Sequence, residues 1–77
     1  MNILFTCACG KKSEELFKAL KKDFKKKIKL YGCDVKKKTG KSFLDSFDQI
    51  SIQNEKTFLS KILKLCTKYK INFLFAW

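Results

Sequence analysis

The sequence predicts a small α/β domain built on a parallel sheet. Short apolar runs of strand length alternate with two longer stretches whose apolar residues recur at three- and four-residue steps, as on one face of a helix. The first and last short runs are almost wholly apolar, which is typical of strands covered on both faces. Strands that alternate with helices imply parallel pairing through helical crossovers.

The first half of the chain has a strand–helix–strand pattern. Residues 3–7 form the first predicted strand, and a loop containing Gly10, which is free to adopt positive φ, follows it. We expect the first helix over residues 14–26, with Ser13 as its N-cap and glutamates in its first turn. Residues 28–35 then form the second strand.

The second half adds a strand, a helix and a further strand. In order, its predicted elements are a polar loop over residues 36–41, one helical turn over 42–45, an edge strand over 47–52, a helix over 55–70 capped by Asn54, and an apolar strand over 71–77. Right-handed crossovers favour the strand order 3-2-1-4, a half-Rossmann β-α-β-β-α-β arrangement with helices on both faces. The ligand site then lies between strands one and four, near Cys7 and Trp77.

The predicted fourth strand is an edge strand, yet its side chains are almost all apolar. Exposed apolar edges tend to pair or aggregate. We therefore expect Phe73, Phe75 and Trp77 to form an interface. It would be covered by more of a longer chain, by a partner subunit or by a second copy of the chain, through residues 71–77.

The charge balance is strongly basic. The chain has 77 residues, enough for one domain at most, and a net charge of +11 in which all 18 basic residues are lysines. Specific recognition of phosphates and bases uses the bidentate fork of arginine, which lysine lacks. We therefore expect solvated lysine faces rather than a nucleic-acid partner, and keep a lysine-rich nucleic-acid-binding module only as an alternative.

Two further features bear on the compartment. The sequence shows neither a signal peptide nor the run of about 20 apolar residues that a membrane helix needs. We therefore predict a cytoplasmic protein with no membrane partner, whose four cysteines are reduced.

Five segments of the chain point to a known family. They are Asn2-Ile3-Leu4-Phe5-Thr6-Cys7-Ala8, Gly10-Lys11-Lys12, Tyr31-Gly32-Cys33-Asp34, Leu44-Asp45-Ser46-Phe47-Asp48 and residues 54–77. Together they resemble the N-terminal, pre-ATP-grasp domain of carbamoyl-phosphate-synthase-like ATP-grasp proteins, across essentially the whole chain. An extra residue, Cys9, in the first turn and the lack of the family's proline-containing segments are departures from that pattern.

The resemblance implies a structural and substrate-side role in a ligase. The family uses ATP and Mg²⁺ to activate a carboxylate as an acyl phosphate, which an amine then attacks, but its ATP- and metal-binding modules lie in later domains. The chain alone is therefore expected to be non-catalytic and to hold no cofactor or metal. Its implied partners are ATP-grasp domains, in cis or in trans, and we expect it to be a fragment or split part of a longer enzyme.

In this family the first loop helps to shape the substrate site. Carried over, Cys7, Gly10, Lys11 and Lys12 are the candidate substrate-binding residues, because a helix N-terminus beside lysines suits an anion. The alternative is a plain turn with solvent-facing lysines. Asp34 is a candidate polar contact near the position of the ribose-binding acid of dinucleotide folds, although a capping or turn role also explains it.

The cysteines leave several interpretations open. Cys7, Cys9 and Cys33 map to the carboxyl ends of neighbouring strands, where thiols can bind zinc, react as a thiolate or simply fill apolar space. Cys7, at the end of a strand and before a glycine-containing loop, also resembles the phosphate-accepting cysteine of phosphotransfer IIB-type domains. A IIB-like domain with a phosphorylatable Cys7 is therefore the alternative function.

Overall fold

Strands and helices alternate along the chain in the predicted order. A computed structural model describes residues 1–38, 40–51 and 54–75. Its elements are β1 Asn2–Phe5, α1 Lys11–Phe24 with a 3₁₀ turn Lys25–Lys27 after it, β2 Lys29–Asp34, β3 Ser46–Gln49, α2 Glu55–Lys68 and β4 Phe73–Phe75. Neither helix is long and apolar enough to cross a membrane, as far as the chain is described.

The four strands form one sheet in the order β3-β2-β1-β4. Every pairing in it is parallel, with Ile3 of β1 aligned to Leu30 of β2 on one side and to Phe73 of β4 on the other. The structure thus confirms the predicted class, the parallel sheet and the strand order 3-2-1-4.

Each face of the sheet packs against one helix. Because side chains alternate along a strand, neighbouring residues of β1 enter different cores. Ile3 and Phe5 pack with Phe17 of α1, whereas Leu4 packs with Ile62 and Leu65 of α2. The prediction of helices on both faces is therefore confirmed.

Gly32, in the middle of β2, allows a close crossing of the chain. A Cβ at this position would lie 2.6 Å from a methyl group of Leu44 and 2.7 Å from the Cβ of Ala8. The loop after β1 and the segment before β3 can therefore both approach β2 closely, because Gly32 has no side chain.

The start of α1 differs from the prediction. Ser13 is not the N-cap: the helix begins at Lys11, and Ser13 is buried in its first turn. Gly10 is the N-cap and has φ −75°, so it does not use a positive φ. The chain reverses earlier, at Cys7, whose φ is 54°.

The segment before β3 does not form the predicted helical turn. Residues 42–45 have no helical hydrogen bonds; the amide of Leu44 donates to the Ser42 hydroxyl, and other polar groups of the segment bond to other elements. Ser42 donates to Glu14 of α1, and Asp45 accepts from the amide of Leu30 in β2. Contacts across the fold thus replace the predicted local turn.

The remaining differences are at element ends. β1 ends at Phe5, two residues before the predicted end, because the turn at Cys7 follows it. α2 ends at Lys68, two residues before the predicted end, because the φ of 51° at Lys70 is incompatible with a right-handed helix. The predicted ends of the third and fourth strands, including Trp77, lie outside the described residues.

Candidate functional site

Two loops meet at the carboxyl edge of the sheet, where the chain leaves β1 and β2. Asp34 at the end of β2 joins them: its carboxylate accepts from the amide of Cys9 at 3.2 Å and from the amide of Lys36 at 3.2 Å. Burial raises the pKa of Asp34, but the hydrogen bonds it accepts outweigh that effect and hold the pKa below its ordinary value of 3.8. The ionised carboxylate of Asp34 therefore holds the two loops together, which agrees with the turn role considered from the sequence.

The first turn of α1 opens into the space between these loops. The amide of Glu14 donates to Gly10 at 3.2 Å, and the amides before it have no partner within the helix. Gly10 at the N-cap position has no side chain to cap them, and no side chain of the described residues forms a cap bond there. The positive end of the helix dipole is therefore exposed to whatever occupies this space.

A cavity of about 290 Å³ lies at this helix end. Residues of both loops and of α1 line it: Cys9, Gly10, Lys11, Glu14, Lys37, Lys38 and Lys41. The ammonium groups of Lys11, Lys37 and Lys41 make no hydrogen bond or ion pair with the part of the chain that the structure describes. Three uncompensated cations thus surround an uncapped helix N-terminus.

Lys38 has a different role from its three neighbours. Its side chain is only 9% exposed, and its ammonium donates to the carbonyl of Ala8 at 2.7 Å. It also lies 3.4 Å from the carboxylate of Glu14 and 5.9 Å from the centre of the Phe17 ring. Lys38 therefore holds the loop after β2 against α1 and positions the cavity wall.

The structure places only part of the predicted substrate set at this cavity. Gly10 and Lys11 line it, whereas Lys12 is exposed and does not. Cys7 lines a separate cavity of about 70 Å³, beside Cys33 and Phe58 of α2. The sequence does not indicate Lys37, Lys38 and Lys41 as site residues, because nothing in a run of lysines shows which of them approaches the loop after β1.

The thiols do not form a metal centre among the described residues, where no group of three or more potential ligands is found. Burial, and then the charge of Asp34, raises the pKa of the Cys9 thiol, which argues against the reactive-thiolate interpretation of Cys9. Burial, followed by the charges of Asp34 and Asp48, raises the pKa of Cys33 to about 12. Cys7 is the exposed thiol of the three.

The predicted interface strand lies at the other side of β1. Phe73 and Phe75 are each 54% exposed, although the ring of Phe75 also stacks on Phe5 with centroids 5.3 Å apart. Trp77, the third predicted interface residue, lies outside the described residues. The apolar edge expected from the sequence is thus present in β4.

Comparison with known proteins identifies no family. No protein-family model matches the chain, and no curated protein is significantly similar to it. The function must therefore be inferred from the site.

Proposed function

We propose that this chain is the substrate-side domain of a carbamoyl-phosphate-synthase-like ATP-grasp ligase. Its role is to bind an anionic acceptor substrate at the N-terminus of α1 and to present it to ATP-grasp domains, in cis or in trans. One observation carries the proposal: three lysines without a described partner, one in the first turn of α1 and two in the loop after β2, surround the helix N-terminus at the carboxyl edge of a parallel sheet.

The chemistry of the cavity favours a carboxylate or phosphate over a neutral ligand. Backbone amides at a helix start donate to anions, and the helix dipole adds favourable electrostatics there. Lys11, Lys37 and Lys41 supply point charges that neutralise the anion without demanding one fixed geometry. A volume of about 290 Å³ suits a small molecule.

The carboxylates near this cavity do not fit a bound Mg²⁺–ATP. Magnesium prefers carboxylate oxygens that remain free to coordinate it. Glu14 instead accepts from Ser42 and from the amide of Phe43, and Asp34 accepts from two loop amides. The proposal therefore assigns ATP and Mg²⁺ to the partner domains and assigns only substrate binding and positioning to this chain.

Titration with succinate and inorganic phosphate, followed by amide NMR shifts, tests the site. We expect saturable shifts at Gly10 and Lys11 for at least one of the two anions. The variant Lys37→Gln/Lys41→Gln should weaken binding about tenfold, because two of the three cations are removed. A second experiment mixes the chain with the ATP-grasp domains of such a ligase and measures ATP hydrolysis. Hydrolysis should depend on the acceptor substrate and should be lower with Lys37→Gln/Lys41→Gln than with the parent protein.

The matched control is Lys18→Gln/Lys22→Gln, which removes the same charge from exposed positions of α1 away from the cavity. It should leave anion affinity within about twofold of the parent protein. Equal losses in both variants would show attraction to overall charge and would contradict a specific site. Anion binding without any effect on ATP hydrolysis would contradict the ligase role alone.

A further inference from the structure

β4 forms an open edge of the sheet. Among the described residues it pairs with β1 and with no other strand, so its outer backbone groups are available for pairing. All three of its side chains are about half exposed: Phe73 and Phe75 at 54% and Leu74 at 47%. The edge thus combines unpaired backbone with apolar surface, which proteins usually avoid.

The β4 edge has no charged side chain. Lysine on an edge strand is a common protection against pairing, yet none of the 18 lysines lies within Phe73–Phe75. The opposite edge, β3, has the polar sequence Ser-Phe-Asp-Gln and is protected in the usual way. The two edges therefore differ in kind, and only β4 is suited to pairing.

The sequence of β4 is symmetric about Leu74. Read in either direction it is Phe-Leu-Phe, so an antiparallel pair of two such strands centred on Leu74 places like side chains opposite each other. Phe73 then lies opposite Phe75 of the second copy, on the α1 face, and the two Leu74 side chains meet on the α2 face. A strand of this kind is self-complementary, as a twofold interface requires.

We propose that β4 pairs antiparallel with β4 of a second copy of this chain, about a twofold axis at Leu74. The two four-stranded sheets join into one continuous sheet. The pairing is independent of the proposed ligase role, since the lysine cavity opens at the carboxyl edge and not at the β4 edge. Three residues per copy make a small interface between two strongly basic molecules, so the dimer is weak and tightens with salt.

Sedimentation equilibrium under reducing conditions tests the proposal, with samples of up to about 0.5 mM protein. The parent chain should show a reversible monomer–dimer equilibrium that tightens as sodium chloride rises. Leu74→Lys should weaken it at least tenfold, because two like charges would face each other on the axis. The control Leu63→Lys, at a leucine of α2 that is 65% exposed, should leave it unchanged.

A charge-pair experiment tests the register. Phe73→Lys/Phe75→Glu places opposite charges across the interface and should retain the dimer, whereas Phe73→Lys/Phe75→Lys places like charges there and should remove it. Circular dichroism of each variant checks that the monomer is folded. A strictly monomeric parent chain, or a dimer that survives Leu74→Lys, overturns the proposal. Loss of the dimer in both folded double variants overturns the Leu74-centred pairing.

Discussion

At the scale of single residues, the charged groups that shape the fold are those with a partner in another element. Asp45, just before β3, accepts from the ammonium of Lys21 on α1 at 2.6 Å and from the amide of Leu30 in β2 at 2.7 Å. These two bonds hold a segment that has no secondary structure of its own. Most of the other lysines are solvated, as the composition predicts.

Asp45 should make stability depend on acid pH. Burial raises its pKa, but the hydrogen bond from Lys21, the bond from Leu30 and the charges of Lys21 and Lys29 outweigh burial and lower the pKa below 3.8. Because the folded pKa is depressed, the stabilisation is complete above about pH 5 and is lost as pH falls below about 4. Urea unfolding from pH 7 to 2.5 should show this decline, and Asp45→Asn should flatten it.

At neutral pH the same substitution should lower the free energy of unfolding by about 0.5–1 kcal/mol, since the carboxylate is partly exposed to solvent. Asp23→Asn is the control, because Asp23 is an exposed carboxylate of α1 without a bonding partner among the described residues. It should leave the acid decline unchanged. An identical decline in the parent protein and in Asp45→Asn would refute the role of this carboxylate.

At the scale of elements, the two helices begin in different ways. Asn54 caps α2 in the ordinary manner, with its side-chain oxygen accepting from the amide of Thr57 at 2.8 Å. α1 has the same extended N-cap backbone but only Gly10 at that position. The helix that faces the lysine cavity is therefore the one whose first amides no side chain of the described residues caps.

Gly10→Asp should raise stability and lower anion binding together. The backbone at Gly10, with φ −75°, accepts any residue, and among the described residues a Cβ there would meet the Ser13 hydroxyl at 3.7 Å and nothing nearer. An aspartate would cap the first turn and suit the dipole, adding about 0.5–1 kcal/mol in urea unfolding. Its carboxylate would also occupy the amides and repel the ligand, so phosphate or succinate affinity should fall at least tenfold.

Gly10→Ala separates the two effects, because it adds a methyl group without a cap. It should change stability little and keep the anion affinity of the parent protein. If Gly10→Asp binds anions as well as Gly10→Ala does, the open amides are not part of the site.

Regular elements were predictable because their signals are local. The continuous apolar run of β1 predicts a strand covered on both faces, and the helical spacing of Phe17 with its neighbours predicts the buried face of α1; both signals come from a few adjacent residues. Residues 42–45 were not predictable, since their conformation depends on bonds to Glu14 and Leu30 far away in sequence. The site could be predicted only in part for the same reason. Gly10 and Lys11 were predicted from a strand–turn–helix pattern, whereas tertiary contacts bring the lysines of the loop after β2 to the cavity.

At the scale of the whole molecule, positive charge exceeds what the fold can pair. The chain has 18 lysines against 7 acidic residues. Within the described ranges, ion pairs form at Lys21–Asp45 and Lys38–Glu14. The remaining positive charges repel one another more in the compact state than in the unfolded chain, which lowers stability at low ionic strength.

Sodium chloride should therefore stabilise the protein. Raising it from about 10 mM to 0.3 M shortens the screening length from roughly 30 Å to less than 8 Å, which weakens repulsion between lysines on different elements. A gain of about 1 kcal/mol corresponds to a Tm increase of about 4–8 °C for a domain of this size. The measurement is best made on Leu74→Lys, which should weaken the proposed dimer, and with chloride, because sulfate is an anion that the proposed site would bind. A Tm that falls with salt would mean that the two ion pairs outweigh the repulsion, contrary to the charge balance of the chain.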